Sequence, residues 1–389
     1  MAQRLITGGA REEILLQAES SFQRICPSAR IGWYNASRKD GDTDLVFASI
    51  QTLGRDEHLA QFEPDHFDYV VVDEFHHAAA PTYRGLLAHF RPRFLLGLTA
   101  TPERTDQSDL LSLCDDNLVY TRNLFDGVEL GLLCPFTYCG IQDKTVDYRE
   151  IPWRNGRFDP NALSAKLATL SRARHALTHW REKAQRRTLA FCVSTAHADF
   201  MAERFKQEGI RSAAVYRGSV LDRGAALDQL GRGDLEVLFS VDLFNEGVDL
   251  PAIDTVMMLR PTESKILFLQ QLGRGLRRHP EKERLVVLDF IGNHKGFLNK
   301  PDALFDCGKR HSDLAAFARR ARDGSLELPA GCFANYDLTI IDFLIGLKGS
   351  DLVADYEALK ASLGRRPTLA EVYRSGARLG ELRRHGTHW

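Results

Sequence analysis

The chain has 389 residues, of which 44% are hydrophobic, 26% charged and 9% aromatic. That is the composition of globular domains, and it excludes a mainly disordered, collagen-like or coiled-coil architecture. With 51 basic and 52 acidic residues the formal net charge is −1, so any nucleic-acid surface has to come from local placement of charge.

The length predicts two or three domains at roughly 100–200 residues each. No apolar stretch approaches the roughly 20 residues that span a bilayer, and the opening MAQRLITGGAREEIL has no signal-peptide core. A membrane partner is therefore not expected. The seven cysteines include no CxxC pair, so neither a disulfide framework nor a zinc cage is encoded, and a reducing cytoplasmic setting is expected. Of the 51 basic residues 39 are arginine and 12 are lysine. Arginine's planar fork suits bidentate phosphate contacts, but the base composition of coding DNA gives the same bias.

In chain order, an amphipathic stretch at Glu12–Arg24 precedes apolar runs at Leu45–Ile50 (LVFASI) and Tyr69–Val72 (YVVV). A helix at Pro81–Phe90 and a run at Phe94–Leu98 (FLLGL) follow. The pattern breaks between Gly131 and Arg157, where Pro135, Pro152 and Gly156 interrupt it, and a join near Pro135–Val146 is predicted. Alternation resumes with Thr188–Val193, a helix at Thr195–Glu208, Ala213–Tyr216, Val237–Val241, Thr255–Leu259, a helix from Thr262 and Leu285–Ile291. Continuous apolar runs alternating with helices are the pattern of a parallel sheet covered on both faces, the doubly wound α/β class. After Gly292 the remainder reads as helical: Asp313–Arg322, Leu338–Leu347, Asp351–Leu363 and Leu369–Arg378. Residues 365–389 carry six arginines against Glu371 and Glu381, a basic tail that fits a solvated helix face or a phosphate contact.

Four segments carry chemistry. In Val72-Asp73-Glu74-Phe75-His76-His77 a strand delivers two adjacent carboxylates at its carboxyl end, where open α/β sheets place their ligands. Asp73 there can hold Mg²⁺, Glu74 can polarise an attacking water, and His76 can bond across a cleft; a strand ending in a polar turn gives the same letters. Leu98-Thr99-Ala100-Thr101-Pro102 puts small hydroxyls after a second strand, which also fits a simple turn. Ser240–Asp249 gathers Asp242, Asn245, Glu246 and Asp249 around Gly247, which either serves a ribose or connects two elements. Gln270–Arg278 (QQLGRGLRR) places Arg274 and Arg277 three apart on the predicted helix 262–278, with Gln270 one turn earlier. Two convergent arginines suit a γ-phosphate, and a basic surface helix has the same spacing.

Together and in this order the segments resemble the superfamily 2 DExH helicases and translocases, nearest to the type III restriction-subunit-like group. DEFHH at 73–77 looks like motif II, LTATP at 98–102 like motif III and FCVS at 191–194 like motif IV. SVDLFNEGVDLP at 240–251 looks like motif V and QQLGRGLRR at 270–278 like motif VI. Upstream, Arg11-Glu-Glu-Ile-Leu resembles motif Ia, and Ala48–Leu53 resembles the next nucleic-acid-contacting motif. The resemblance covers about residues 5–300.

The resemblance implies an α/β chain of two RecA-like parallel-sheet domains, 1–135 and 136–300, with a helical C-terminal segment at 301–389. ATP would be the substrate and Mg²⁺ the cofactor, with DNA, or else RNA, as the partner. Asp73 would bind Mg²⁺ and Glu74 would activate water, with His76 and Gln270 beside them and Arg274 and Arg277 at the γ-phosphate. Thr99 and Thr101 would couple hydrolysis to strand movement, and Gly247 and Asp249 would lie near the ribose. Arg11, Ser49, Gln51, Thr52 and Ser194 would contact the nucleic acid. One departure from the family pattern stands out: no G-x-x-x-x-G-K-[ST] phosphate loop occurs. An N-terminally truncated helicase with an incomplete first domain is therefore expected. The alternative to an active ATP-dependent helicase is then an impaired remnant that only binds nucleic acid.

Overall fold

The computed structural model describes residues 5–9, 12–78, 80–99, 111–154, 157–244, 251–261, 265–292, 298–308, 310–346, 359–360, 363, 365–368 and 371. The chain divides into two compact units, Met1–Arg122 and Asn123–Trp389.

The first unit runs β1 (Leu5–Gly9), α1 (Glu12–Ile25), β2 (Ile31–Tyr34), β3 (Leu45–Ser49), α2 (Ile50–Leu53), α3 (Asp56–Leu59), β4 (Tyr69–Val72), α4 (Pro81–His89) and β5 (Phe94–Gly97). Its strands form one all-parallel sheet in the order β2-β3-β1-β4-β5. Successive side chains of a strand point to opposite faces, so the unbroken apolar run of β3 serves two cores at once. Val46 and Ala48 pack with Ile50, Leu53, Tyr83 and Leu86, while Leu45 and Phe47 pack with Leu15 and Trp33. The other end of the sheet departs from expectation. FLLGL reads as a strand covered on both faces, yet among the described residues β5 pairs with β4 alone, and Phe94 and Leu98 are 47% and 44% exposed.

The second unit runs α5 (Leu124–Glu129), β6 (Phe136–Gln142), β7 (Trp153–Arg154), β8 (Arg157–Phe158), α6 (Pro160–Leu167), α7 (Leu170–Lys183), β9 (Thr188–Phe191), α8 (Thr195–Gln207), β10 (Ser212–Val215), α9 (Arg223–Arg232) and β11 (Val237–Ser240). It continues with β12 (Thr255–Met258), α10 (Lys265–Leu276), β13 (Leu285–Ile291), α11 (Asn299–Phe305), α12 (His311–Arg322), β14 (Phe333–Tyr336) and α13 (Leu338–Ile345). Seven of these strands form a second all-parallel sheet, β10-β11-β9-β12-β13-β6-β14. Every residue of β9, β11, β12 and β13 is buried.

Six strands lie where the sequence pattern predicts none: β1 and β2 in the first unit, and β6, the short pair β7–β8 and β14 in the second. The segment 135–146, read as a join, holds β6, which pairs with β13 along its whole length. Pro135 immediately precedes the strand, where its missing N–H breaks no ladder bond. Gly140 leaves room for a neighbour, since a Cβ there would meet the Tyr336 ring at 2.5 Å. That ring belongs to β14, a strand inside the stretch expected to be helical, which extends the sheet beyond β6. Residues on both sides of the expected 136–300 range pack into this unit. Leu124 and Phe125 lie on the core containing Phe136 and Leu304, and Ile340, Ile341 and Leu344 pack with Ile291 and Leu314. The expected helices 351–363 and 369–378 fall largely outside the described residues.

Candidate functional site

Parallel pairing brings the carboxyl ends of strands to one edge of a sheet. In the first unit the register Ala48↔Gly8, Gly8↔Val72 and Val72↔Gly97 places Ser49, Asp73 and the residues after β5 along that edge. Two backbone bonds join the β4 and β5 ends: Leu98 N–H donates to Val72 O (2.9 Å) and Phe75 N–H donates to Leu98 O (2.8 Å). Gly97 is required for this approach, because a Cβ would lie 2.6 Å from the Phe75 ring.

Asp73 is partly buried, and its Oδ1 accepts the Glu74 N–H at 2.8 Å. Burial raises its carboxyl above the usual range, against the lowering effect of that backbone bond. A carboxylate disfavoured by burial is stabilised by an adjacent cation, so Asp73 fits a Mg²⁺ ligand. Glu74 stands in the left-handed region, φ 51° and ψ 44°. For a non-glycine residue this costs of order 1–3 kcal/mol, and such strain concentrates at functional turns. His76 is buried, with Nδ1 3.2 Å from Glu74 Oε2 and 3.3 Å from Thr99 Oγ1. One ring nitrogen carries at most one proton. An Nδ1–H donating to the carboxylate and shared with the threonine oxygen satisfies both distances. Glu74, His76 and Thr99, three candidates drawn from two sequence segments, thus meet at one point.

On the same edge Ser49 Oγ donates to Gln51 Oε1 (2.9 Å), and Arg55 Nε donates to Gln51 O (3.1 Å). Gln51 is exposed, and Ser49 and Thr52 are partly exposed. The mostly exposed Arg55 guanidinium joins these polar groups; its sequence signal is an arginine one turn after Gln51 in SIQTLGR.

In the second unit Phe191 aligns with Ser240 and with Met258, so Ser194, Asp242 and Arg260 follow their strands at a common edge. Ser194 caps α8, its Oγ accepting the His197 N–H at 3.1 Å and lying 2.5 Å from Ser164 Oγ. Arg260 donates to Asp242 Oδ1 at 2.6 Å, and Asp242 also has positive φ, 52°. Behind this edge lies an arginine that sequence reasoning missed. Arg172 is fully buried on α7 and donates to Asp143 Oδ2 (2.7 Å), Leu259 O (2.8 Å) and His197 Nε2 (3.3 Å). Burial alone would raise the Asp143 carboxyl, but Arg172 and Thr145 bring it below the usual value. Burial, reinforced by Arg172, holds His197 well below the usual imidazole range. The SRAR sequence does not tell such an arginine from a solvated one.

Gln270 and Arg274 lie one turn apart on α10. Arg277 corrects the expectation of a single helix face. The helix ends at Leu276, and Arg277 forms an isolated antiparallel bridge with Leu133. Cys134 N–H takes the Leu276 carbonyl at 2.8 Å, which ends the helix against another segment. Arg11, Thr101, Gly247 and Asp249 lie outside the described residues. Among the described residues no three His, Cys, Asp or Glu side chains converge as a metal cage, and no helix is long and apolar enough to cross a membrane.

Comparison with known proteins agrees with this geometry. Residues 9–104 match the family "Type III restriction enzyme, res subunit", and residues 166–279 match "Helicase conserved C-terminal domain". The chain is 30% identical over 320 residues to the Saccharomyces cerevisiae protein named ATP-dependent helicase IRC3, covering 78% of this chain and 45% of that one. It is 26% identical over 261 residues to the DNA 3'-5' translocase XPB2 of Sulfurisphaera tokodaii, covering 57% and 58%. A fragment structure assigned to the HsdR subunit of a type I restriction enzyme from Vibrio vulnificus superposes with TM-score 0.57 at 22% identity, covering 77% of this chain and 55% of that one. The chain spans about half the length of the first curated relatives it matches, 45% and 47%. The two family matches in chain order, on two parallel α/β sheets of RecA-like form, place this chain among the superfamily 2 helicases of the type III restriction-like group.

Proposed function

We propose that this chain couples ATP hydrolysis to movement along DNA. Membership in the helicase family supports a nucleic-acid helicase in general; DNA is favoured because a relative named for DNA translocation matches 57% of this chain. The observation that carries the reading is the meeting of Glu74 and Thr99 at His76 Nδ1, 3.2 and 3.3 Å away. A water-activating carboxylate is thereby joined to the threonine that follows the neighbouring strand.

In this reading Asp73 holds Mg²⁺, which supplies charge neutralisation for the phosphates when bound. Glu74 orients the attacking water and takes its proton, and His76 fixes the Glu74 carboxylate by donating to it. Arg274 and Arg277 balance the negative charge that builds during phosphoryl transfer, with Gln270 one turn before Arg274. Gly247 and Asp249 serve the ribose. Thr99 and Thr101 carry a change at Glu74 to the strand-contacting edge. There Ser49, Gln51 and Thr52, with Arg11, hold the sugar–phosphate backbone, and Ser194 contacts it from the second unit. The scatter of the seven cysteines, with no CxxC pair among them, suits a reducing compartment such as the cytoplasm.

A second reading rests on one specific observation, the lack of a G-x-x-x-x-G-K-[ST] run in the 389 residues. Without the amides and lysine of that loop the chain would bind nucleic acid and hydrolyse ATP poorly or not at all. Displacement of streptavidin from biotinylated single-stranded DNA, with RNA in parallel, separates the two. The first reading expects ATP-dependent displacement on DNA that Glu74→Gln abolishes. Binding with no ATP-dependent displacement would select the second.

A further inference from the structure

After α10 the chain turns back through His279–Lys282, closed by the Lys282 N–H to His279 O bond at 3.0 Å. The turn carries the Lys282 side chain beneath the helix end, where it is 8% exposed. Its Nζ donates to Gly275 O (2.9 Å), Pro251 O (2.6 Å) and Ile253 O (3.0 Å). An ammonium has three N–H donors, and these three carbonyls are enough to occupy all of them. Gly275 O belongs to the last turn of α10, where carbonyls lack intrahelical partners and cations are favoured. Pro251 closes the segment 240–251 and Ile253 follows it, so a single buried lysine bonds both of the arginine- and acid-bearing segments of this unit.

The other side of the same turn is also fixed. Gly275 fits flush against β12 and β13, since a Cβ there would lie 2.5 Å from Leu285 and 3.1 Å from Val256. Cys134 N–H donates to Leu276 O, Leu133 bridges Arg277, and Arg278 donates to Gly131 O at 2.8 Å. With residues 131–134 gripping the chain on one side and Lys282 on the other, the backbone of Gly275–Arg278 has little room to shift.

We propose that Lys282 is a positioning residue for the arginine pair. It sets the backbone between Arg274 and Arg277, and holds it at a fixed place relative to Pro251–Ile253. The inference rests on the ATP-hydrolysing reading for its catalytic consequence, though not for its structural one. Misplacing a charge-stabilising group by about 1 Å costs up to ~100-fold in rate, and a group that acts only in the transition state changes kcat and leaves KM in place.

Lys282→Met keeps the apolar stem and removes the donors. Two readouts test it in the full chain. For DNA-stimulated ATP hydrolysis, kcat should fall about 10- to 100-fold with KM for ATP within about twofold. Amide exchange should quicken at residues 252–255 and 274–278 while β9 and β13 stay protected. Should Lys282→Met fail to fold, Lys282→Gln, which retains two donors on a shorter stem, takes its place with the same expectations. Unchanged exchange at 274–278 overturns the proposal, as does faster exchange throughout the second sheet, which would mark a purely structural lysine. A kcat equal to wild type in a variant with loosened 274–278 overturns it too. If the wild-type chain hydrolyses no more ATP than Glu74→Gln, the ATPase reading fails, and the exchange comparison alone then decides the positioning.

Discussion

The two sheets carry comparable chemistry at their carboxyl edges but hold it by different means. Among the described residues every buried Asp, Arg and Lys lies in the second unit: Asp143, Arg172, Asp254, Lys282, Asp289, Lys300 and Asp302. Four of them form two buried charge pairs. Arg172 joins Asp143, and Lys300 Nζ lies 2.7 and 2.8 Å from the two Asp289 oxygens while Tyr138 OH donates to Oδ2 at 2.5 Å. Among the described residues of the first unit the buried titratable side chains are His76 and the phenols of Tyr34 and Tyr83, and there the edge rests on a strained Glu74 turn and on the half-exposed strand β5. Buried charge pairs allow few alternative geometries, because breaking one leaves an uncompensated charge. A strained turn beside a lightly covered strand has nearby alternatives. The contrast suits a rigid second unit and a first unit whose turn responds to what it binds.

The largest effect that could break the contrast is on Arg172. Arg172→Met strands the Asp143 carboxylate in the core, and removal of one partner of a buried pair costs about 3–5 kcal/mol. Urea unfolding followed through tryptophan fluorescence in a Trp33→Phe background reads the second unit, which holds the other three tryptophans, the buried Trp180 among them. A loss below ~1 kcal/mol would mean that the core relaxes around the lone carboxylate, and the second unit would not be the rigid one.

The next effect is in the first unit. Gly97→Ala drives a methyl group into the Phe75 ring, and overpacking of this kind costs about 1–3 kcal/mol. Because Phe75 follows Glu74, amide exchange at residues 70–77 should quicken while the second sheet is unaffected. Exchange in 70–77 equal to wild type would show that the turn does not depend on this contact.

The smallest effect is a pH slope that separates the units. His197 stays neutral when folded, its imidazole held well below the ordinary 6.5. Below pH 6.5 the unfolded state binds a proton that the folded state does not, so stability is full above that pH and declines as pH falls toward the folded value. The slope reaches at most about 1.4 kcal/mol per pH unit for one group. Second-unit stability should therefore drop between pH 7 and 5.5, and His197→Leu should flatten that dependence. A flat wild-type profile would contradict the assignment.

How much of this could be read from the sequence varies with the kind of signal. Tyr69–Val72 and Leu285–Ile291 are strands with the bounds their apolar runs predict, because a strand covered on both faces is apolar at nearly every position, Asp289 being the exception here. β6 escaped because Thr137, Tyr138 and Gly140 dilute its run and Pro135 reads as a breaker, although Tyr138 is buried with its hydroxyl on Asp289. β14, in FANY, is an edge strand with only partial burial and no strong pattern to find. The meeting of Glu74, His76 and Thr99 was foreseeable from two adjacent strands ending in polar residues. Arg172 and Lys282 were not, because a buried cation's partners are carbonyls and carboxylates far away in sequence. The end of α10 before Arg277 is likewise set by Cys134, more than a hundred residues earlier.

The decisive measurement is ATP hydrolysis by the purified chain, with and without single-stranded DNA and beside Glu74→Gln. A water-activating role for Glu74 requires DNA-stimulated phosphate release that falls by about 100-fold or more in Glu74→Gln. Release no greater than that of Glu74→Gln, with DNA still bound, would contradict it and leave the Glu74–His76–Thr99 cluster without catalytic work in this chain.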